Sequence, residues 1–560
     1  MRLPIRSRPL LSFLRGTTFA PSSSSSSSSS AHQDLSAQSS SVVSRRQPRA
    51  LSRRVRRQAS HGALIRPRGF RPASETATAA IAVRPAADTA TLAVASPAQP
   101  AQPATTSEKD LKRRVWGLAL PSIGEQLLSL GVGVSDTFLA GHLSDYATHT
   151  LGYGRATAVD AVGIASTVAW IVLTVFFGVN IGVTALVARA TGARDSRLAA
   201  RTVGQGIWLG AIIGLAMIVL ALPLAHIIIG LLGVSGMEAD LAAQYIRVYS
   251  LTMPAAGAAS AMNAAMRGAG DARRPLLVML VVNGANIVAS WTLMNGVPSL
   301  GIAPIGVVGS AVGAATGWTL GCGLAAYLMT RKHPRSPLLT RAALRPDPRL
   351  IQRVLKVGLP SAAELVVFQL GVLTFNRVVI GLGPVPYAAN VTINTVDSIG
   401  TLPGFGFSVA ATALVGQALG ARDTPLAERS VWASLRPAVL VMIIVGGFEA
   451  LIPHALLGVF VADPPVLNAG DIAMRLSLLL MPASALSFVF NGALRGAGDT
   501  RFPVVVRAAG TWGLRLPVAA LLIPLWGLPG ARLAMGLDFW TQAGLSYWRF
   551  RSGRWRSTRV

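Results

Sequence analysis

The stretch NAAMRGAGDARRPLL at residues 263–277 recurs as NGALRGAGDTRFPVV at residues 491–505, with the core RGAGD unchanged. A second pair, TALVARATGARDSRLAART at 184–202 and TALVGQALGARDTPLAERS at 412–430, is separated by the same 228 residues. Similarity at a fixed spacing predicts that the chain contains two copies of one structural unit.

Each copy of the RGAGD motif has the composition of a tight turn between two helices. Arg267 complements the dipole at the end of one helix, and Gly268 or Gly270 supplies a left-handed residue that ends it. Asp271 caps the next helix, and Pro275 falls in its first turn, where backbone N–H groups lack helical partners. The corresponding residues of the second copy are Arg495, Gly496, Gly498, Asp499 and Pro503. A turn explains the motif without a ligand; direct contact with a substrate is the alternative.

The composition is that of a membrane protein. Of the 560 residues, 51% are hydrophobic and only 13% are charged, and the mean hydropathy is +0.51. A soluble protein of this size needs more charge on its surface, and apolar runs of about 20 residues are long enough to cross a bilayer. We predict an all-α membrane protein with twelve spans, near residues 115–140, 160–188, 203–229, 241–265, 275–296, 306–330, 351–382, 387–419, 432–460, 467–493, 503–526 and 529–548.

Lys and Arg are concentrated in every second connection between these spans. The linker after span six is rich in Arg, whereas residues 295–309 contain neither Lys nor Arg. This alternation predicts that both termini lie on the positive, cytosol-like side of the membrane. Because matching segments begin at spans one and seven, the two six-helix lobes share one orientation, and a pseudo-twofold axis along the membrane normal relates them.

The N-terminal leader has a different composition from the rest of the chain. Residues 1–107 hold 15 Arg, three acidic residues and a run of nine serines, and they lack the spaced aliphatic residues of a core. Such a segment is typical of a disordered transit peptide, for a plastid in preference to a mitochondrion, and a disordered cytosolic tail is the alternative. The predicted domains are the leader 1–107, the N-lobe 108–335, a linker 336–350, the C-lobe 351–550 and a basic tail 551–560.

Several classes of function are disfavoured by composition and motifs. The net charge of +28 lies in the leader and in short loops, so we expect no nucleic-acid partner. The only cysteine, Cys322, excludes a multi-cysteine cluster, and the histidines lack metal spacing, so no metal site is predicted. No HExxH, GxD pair or Ser/Lys dyad within the spans indicates an intramembrane enzyme, and no GxxxxGK[ST] indicates a primary pump.

Further stretches resemble the multidrug and toxic compound extrusion (MATE) family over about residues 112–550. They are VSDTFLAGHL at 134–143, PGFGFSVAATALVGQALGARD at 403–423 and GLRLPVAALL at 513–522, together with RGAGDxRxP after spans four and ten. The resemblance implies a monomeric antiporter in which two lobes form a V around a central cavity, exchanging an organic solute for H⁺ or Na⁺ without another cofactor. With the leader, the chain is similar to the plastid-targeted branch, which includes exporters of small aromatic acids.

Ionisable residues within spans are costly, and each is therefore a functional candidate. Glu125 and Asp136 lie on one side of span one, about 16 Å apart. By resemblance, Asp136 aligns with an aspartate that couples cations in several family members, and Asn286 with an asparagine of the same polar network. Ser290 stands where prokaryotic relatives have an aspartate. Pairing of Asp136 with a helix end or an Arg is the alternative to a coupling role.

Other polar residues within spans are candidates for the substrate cavity. Asn390, Asn394 and Asp397 form one stripe on span eight, which we expect to face the cavity or the opposite lobe, although helix–helix hydrogen bonds are an alternative for the asparagines. The full set of cavity candidates is Glu125, Asn180, Asn283, Glu364, Gln369, Asn390, Asn394 and Asp397.

A flippase for lipid-linked precursors is a second possible function, because related folds perform it. A cavity for a diphosphate needs several Arg, whereas nearly all Arg of this chain lie in loops. The exceptions are Arg377, Arg475, Arg515 and Arg532.

Overall fold

The computed structural model describes residues 107–331 and 339–558. The predicted leader lies outside these residues except for Ser107, as do part of the linker and the last two residues of the tail. Within the described parts the chain forms a bundle of long helices. The transit-peptide character of the leader remains a prediction.

Within the described residues, eight α-helices form the N-lobe and nine form the C-lobe. The N-lobe contains α1 (Glu108–Gly141), α2 (Asp145–Leu151), α3 (Arg155–Gly192), α4 (Ser196–Leu231), α5 (Met237–Ser250), α6 (Met253–Ala269), α7 (Arg273–Asn295) and α8 (Val307–Thr330). The C-lobe contains α9 (Pro348–Ile380), α10 (Pro384–Gly400), α11 (Leu402–Gly420), α12 (Thr424–Leu451), α13 (Pro453–Gly458), α14 (Pro464–Arg475), α15 (Ser477–Gly496), α16 (Arg501–Ala508) and α17 (Leu516–Arg551). A π-helical segment, Ala509–Arg515, joins α16 to α17.

Ten segments of the described residues are long and apolar enough to cross a membrane. One of them, Arg501–Arg551, has 51 residues, which is more than twice the length needed for one crossing. Gly527 interrupts its helical backbone with a φ of 60°, so this segment makes two crossings. The helices α5 and α6 are individually short and together make one further crossing. The described residues therefore contain the twelve predicted spans in two six-span lobes.

The first lobe has a longer connection after its first span than the second lobe. In the N-lobe, α2 and its flanking turns separate α1 from α3, whereas α9 is followed almost directly by α10. This insertion explains why the sequence LPS of span one, at 120–122, and that of span seven, at 359–361, are 239 residues apart, whereas the later repeated motifs are separated by 228 residues.

Glycines allow the two lobes to approach closely on the basic side of the membrane. A Cβ atom at Gly192 would lie 1.8 Å from the carbonyl oxygen of Gln417, and one at Gly420 would lie 2.1 Å from that of Arg189. Farther along α3, Gly178 faces Gly358 of α9 at similarly short range. The contacts at Gly192 and Gly420 place the C-terminal ends of α3 and α11 side by side.

The first RGAGD turn has most of its predicted geometry. Gly270 adopts a left-handed conformation with a φ of 94°, and Asp271 Oδ1 accepts hydrogen bonds from the backbone N–H groups of Arg273 and Arg274 at 3.2 and 3.3 Å. Gly268 does not provide the left-handed residue. Instead, a Cβ there would lie 2.6 Å from the carbonyl oxygen of Thr184, so this glycine permits close packing of α6 on α3.

The second RGAGD turn differs from the prediction at its aspartate. Gly498 is left-handed with a φ of 80°, and Gly496 packs against the carbonyl oxygen of Thr412, as Gly268 does on Thr184. The prediction that Asp499 caps the following helix is wrong, because no side chain caps α16 and the Asp499 carboxylate accepts a hydrogen bond from Arg549 of α17 at 2.8 Å. A strong cation nearby therefore replaces the capping interaction.

Candidate functional site

Asp136 lies in the wall of a cavity of about 680 Å³ within the N-lobe. Its side chain projects from α1 and is 1% exposed. The hydroxyl group of Tyr245, on α5, donates a hydrogen bond to Asp136 Oδ2 at 3.2 Å. The carboxyl group is thus buried among helices at the edge of an open space.

No cation neutralises Asp136 within the described residues. None of the ion pairs found there includes it, and its Oδ1 atom has no hydrogen-bond partner. Asn286 of α7 and Ser310 of α8 lie beside the same carboxyl group, and their side-chain polar atoms have no hydrogen-bond partner among the described residues. The alternative in which Asp136 is held by an Arg is not what the structure shows.

The rest of the cavity wall combines aromatic and small polar groups. Tyr249 stacks on Tyr245 with ring centroids 5.7 Å apart, and Trp318 of α8 lies close to both. Trp170 of α3 also lines the cavity and is about half exposed. One buried acid surrounded by aromatic faces can bind a cation or a planar aromatic group.

The candidate residues of α7 form a polar row that starts beside this cavity. Asn283 donates to the backbone carbonyl oxygen of Met279 at 2.9 Å, and its Oδ1 faces Gly131 of α1. Asn286 is fully buried next to Asp136. Ser290 donates to the carbonyl oxygen of Ser310 at 3.4 Å, so it contacts a neighbour of Asp136 without contacting the acid itself.

The two glutamates at equivalent positions of spans one and seven have equivalent partners. Glu125 pairs with Arg267 of the first RGAGD motif, and Glu364 pairs with Arg495 of the second at 2.6 Å. Each pair is largely buried and ties the first span of its lobe to the fourth. Glu125 does not line the cavity that contains Asp136.

The polar stripe on α10 faces the interior of its own lobe. Asp397 pairs with Arg532 of α17 at 2.6 Å, and Ser477 of α15 hydrogen-bonds to both side chains. Of the two expectations for this stripe, the cavity or the opposite lobe, the second is wrong for Asp397, because its partners belong to its own lobe. Asn390 is buried and its amide atoms have no hydrogen-bond partner in the described chain, whereas Asn394 is half-buried.

Two further cavity candidates, Asn180 and Gln369, are half-buried on α3 and α9. Neither lines the cavity around Asp136. The structure therefore brings Asp136 and Asn286 together, and the cavity candidates Glu125, Asn180, Asn283, Glu364, Gln369, Asn390, Asn394 and Asp397 do not line the cavity around Asp136.

The arginines that could have formed a diphosphate site are already engaged or peripheral. Arg515 pairs with Asp538 at 2.6 Å, Arg532 with Asp397, and Arg475 with Asp471 at 2.9 Å. Arg377 is exposed in the last turn of α9. These pairings also explain how span twelve accommodates Arg532 and Asp538, since buried charges require partners.

Sequence reasoning missed the residues that complete the site: Tyr245, Tyr249, Ser310 and Trp318. The two tyrosines are one helical turn apart on α5, a spacing that puts both on one face. Nothing in the spacing distinguishes a tyrosine that donates to an acid from one that packs. Glu449, buried on α12 beside the Asp397–Arg532 pair, was also missed. Among the described residues, no group of three His, Cys, Asp or Glu side chains could hold a metal ion.

The chain is similar to one protein family and to individual bacterial proteins along most of their length. The family model described as MatE matches residues 121–292 and 360–521. A protein named "Probable multidrug resistance protein NorM" from Thermotoga maritima is 29% identical over 458 residues, covering 80% of this chain and 94% of that protein. A relative of the same name from Synechocystis is 27% identical over 455 residues, which cover 78% of this chain and 94% of the relative.

Solved structures show the same fold. One is described as the outward-facing conformation of a multidrug resistance MATE family transporter of the MOP superfamily. It has a TM-score of 0.71 at 21% identity, and the match covers 80% of this chain and 97% of that one. A MOP superfamily transporter from Pyrococcus furiosus matches with a TM-score of 0.70, 21% identity and the same coverage.

Proposed function

Because this chain belongs to the MatE family, we propose that it exports a small organic solute by antiport against H⁺ or Na⁺. The observation that carries the proposal is Asp136, a buried carboxyl group without a cationic partner in the described chain, in the wall of a cavity. Both MATE-type relatives compared above carry a name that refers to multidrug resistance. The family supplies the class of transport, and the acid supplies the group that responds to a cation.

The chemistry of the site supports coupling through competition. An ionised carboxylate in this cavity attracts an organic cation, and binding of H⁺ or Na⁺ removes or offsets that charge. The hydroxyl of Tyr245 donates a hydrogen bond to the carboxyl group, and Asn286 lies beside it. Solute and coupling ion therefore exclude each other from the N-lobe, which makes their movements opposite in direction.

The aromatic wall favours planar solutes. Trp170, Tyr249 and Trp318 offer ring faces, and a cation over such a face gains about 0.5–2 kcal/mol. The solute class we propose is therefore an organic cation or a planar aromatic metabolite. A lipid-linked precursor is disfavoured, because three of the four arginines named above as candidates for a diphosphate site, Arg475, Arg515 and Arg532, are already paired with acids.

Transport by reconstituted protein tests the coupling role. Proteoliposomes loaded with ethidium, a planar aromatic cation, should release it when an inward H⁺ or Na⁺ gradient is imposed. Asp136→Asn should abolish the gradient-driven component while the unfolding temperature changes little. The matched control is Asp160→Asn, at an exposed acid on α3 of the same lobe, which should transport normally. Gradient-driven release that survives in Asp136→Asn would remove this acid from the mechanism.

We propose a plastid membrane as the location, on the strength of the Ser- and Arg-rich leader alone. Residues 1–107 fused to a fluorescent protein should direct it into plastids of plant cells. A diffuse cytosolic signal would contradict the proposal, and a mitochondrial signal would replace the plastid by the other organelle.

A further inference from the structure

A second, larger cavity lies between the lobes on the basic side of the membrane. Its volume is about 1230 Å³. One wall comes from the N-lobe: the start of α1, the α3–α4 turn and the α6–α7 turn. The other comes from the end of α11 and the start of α12 in the C-lobe. We call this space the basic cleft.

Positive charge dominates the lining of the basic cleft. The lining includes Arg113, Arg114, Arg194, Arg273 and Arg274, and the acids Asp110, Asp271 and Asp423. Two of the acids are engaged as helix caps, since Asp423 accepts from the N–H of Leu426 at 2.8 Å and Asp271 accepts from the N–H groups at the start of α7. The cleft therefore has more cationic than available anionic groups.

Three of these arginines have unused hydrogen-bonding capacity. The side chains of Arg113, Arg194 and Arg273 are exposed and make no ion pair or hydrogen bond within the described residues. Arg114, by contrast, donates to Gln417 Oε1 at 3.0 Å across the lobe boundary. Guanidinium groups that converge on a cavity without protein partners suit an anion with several oxygen atoms.

Comparison of the two repeats shows that the arginines lining the basic cleft come from the first half of the chain. Arg422 and Arg501 are the repeat equivalents of Arg194 and Arg273, and neither lines the basic cleft. The equivalent of Arg113 in the second half is Gln352. A general excess of cations in loops on this side of the membrane accounts for all of these arginines, but it does not explain why those of the first half converge on one cavity.

We infer that the basic cleft binds a phosphate-bearing anion, either free phosphate or the head group of an anionic phospholipid. Arg113, Arg194 and Arg273 supply the charge and the donors. Because the opposite wall belongs to the C-lobe, an anion in the cleft contacts both lobes only while they are together on the basic side. By linkage, its binding stabilises this arrangement of the lobes.

Binding of inorganic phosphate and of lipid separates the two sources. The purified full chain is titrated with phosphate in neutral detergent, with chloride at equal ionic strength as the screening control, and unfolding temperature is followed. In parallel, the chain is placed in nanodiscs of phosphatidylcholine with or without phosphatidylglycerol. A saturable rise with phosphate supports free phosphate as the occupant, and a rise only with phosphatidylglycerol supports a lipid head group. No rise in either arm overturns the proposal.

Variants locate the effect in the cleft. Arg113→Gln with Arg194→Asn and Arg273→Gln should weaken apparent affinity at least about tenfold, because three charge-assisted donors are lost. Asn is chosen at 194 because it tolerates the positive φ of 58°. The matched control, Arg422→Asn with Arg501→Gln, should bind as the unmodified chain does.

If the triple variant folds poorly, the single variant Arg113→Gln replaces it in the binding experiment. Position 113 is exposed, and the equivalent position of the second half is a glutamine, Gln352. The single variant should weaken binding severalfold at an unchanged basal unfolding temperature. Equal loss of affinity in the control at 422 and 501 would show a diffuse effect of surface charge and would refute a site in the cleft.

Discussion

Arg189 and Gln417 occupy equivalent positions in the two halves of the chain, and each hydrogen-bonds to the RGAGD turn of the opposite lobe. Arg189 Nη2 donates to the carbonyl oxygen of Ala497 at 2.7 Å, and Gln417 Nε2 donates to that of Gly268 at 2.9 Å. The carbonyl groups at a helix end lack intrahelical partners, so each lobe satisfies groups that the other leaves open. The repeated motif thus serves both as a turn within its lobe and as an acceptor for the other lobe.

Removing these side chains should weaken the contact between the lobes. Arg189→Ala combined with Gln417→Ala loses hydrogen bonds worth about 1–2 kcal/mol in sum, which changes a conformational ratio about 5–30-fold. Spin labels are attached at Arg197→Cys in the N-lobe and Pro425→Cys in the C-lobe, in a Cys322→Ser background. Double electron–electron resonance then measures the distance between the two labels. We expect a larger population of long distances than in the unmodified chain.

Arg349→Ala is the control for this pair, because it removes an exposed arginine near the same side of the membrane without disturbing the contact. Its distance distribution should match that of the unmodified chain. An unchanged distribution in the double variant would mean that backbone packing alone holds the lobes together.

Glycine at the lobe boundary should be intolerant of a methyl group. At Gly192 and Gly420 the added Cβ would overlap a backbone carbonyl oxygen, which cannot move without separating α3 from α11. Gly192→Ala should therefore lower the unfolding temperature and lengthen the spin-label distance. Gly284→Ala on α7 is the control, since open space surrounds that position and alanine favours helix there by about 1 kcal/mol. If Gly192→Ala changed neither the unfolding temperature nor the spin-label distance, the interface between the lobes would have adapted to the added methyl group.

Each lobe has a buried Glu–Arg ion pair, and removing one partner of either pair should lower the free energy of unfolding. Glu364→Gln leaves Arg495 without its partner, and Arg507, 3.9 Å from the same carboxylate, loses its nearest acid. Breaking such a pair costs about 3–5 kcal/mol of unfolding free energy.

Glu125→Gln breaks the equivalent N-lobe pair with Arg267, and it should cost less, because no second arginine is paired with this acid in the described residues. Chemical unfolding in mild detergent measures the free energy of unfolding of both variants. The double variant Glu364→Gln with Arg495→Met should recover part of the loss, and a loss equal to the sum of the single variants would show that the two side chains do not interact.

The sequence was sufficient to predict the spans and the two lobes, because these follow from apolar length and repetition. It also singled out Asp136, since an acid in an apolar span is rare, and the role of Asp136 stays a prediction. The partners of the buried charged side chains could not be predicted from the sequence. Glu125 and Arg267 are 142 positions apart, and only the packing of α1 near the α6–α7 turn brings them together.

The same limit explains the errors at Asp499 and Asp397. A cap was predicted at Asp499 from local spacing, but Arg549, 50 positions later, competes for the carboxylate. For Asp397 the polar stripe was recognised, yet periodicity defines a face without identifying what it contacts. Arg532 on α17 decides that contact, and no local pattern relates the two positions.

The last prediction concerns the aromatic wall of the N-lobe cavity. Trp170→Ala should weaken binding of ethidium about 2–30-fold, the range that corresponds to the loss of one cation–π contact, with little change in stability because this ring is already half exposed. Fluorescence anisotropy of ethidium measures the affinity. Trp291→Ala is the control, since that ring is equally exposed on α7 but does not line the cavity. Equal affinity in both variants would place the solute elsewhere, whereas a selective loss at Trp170 would locate it next to Asp136, where the coupling ion can displace it.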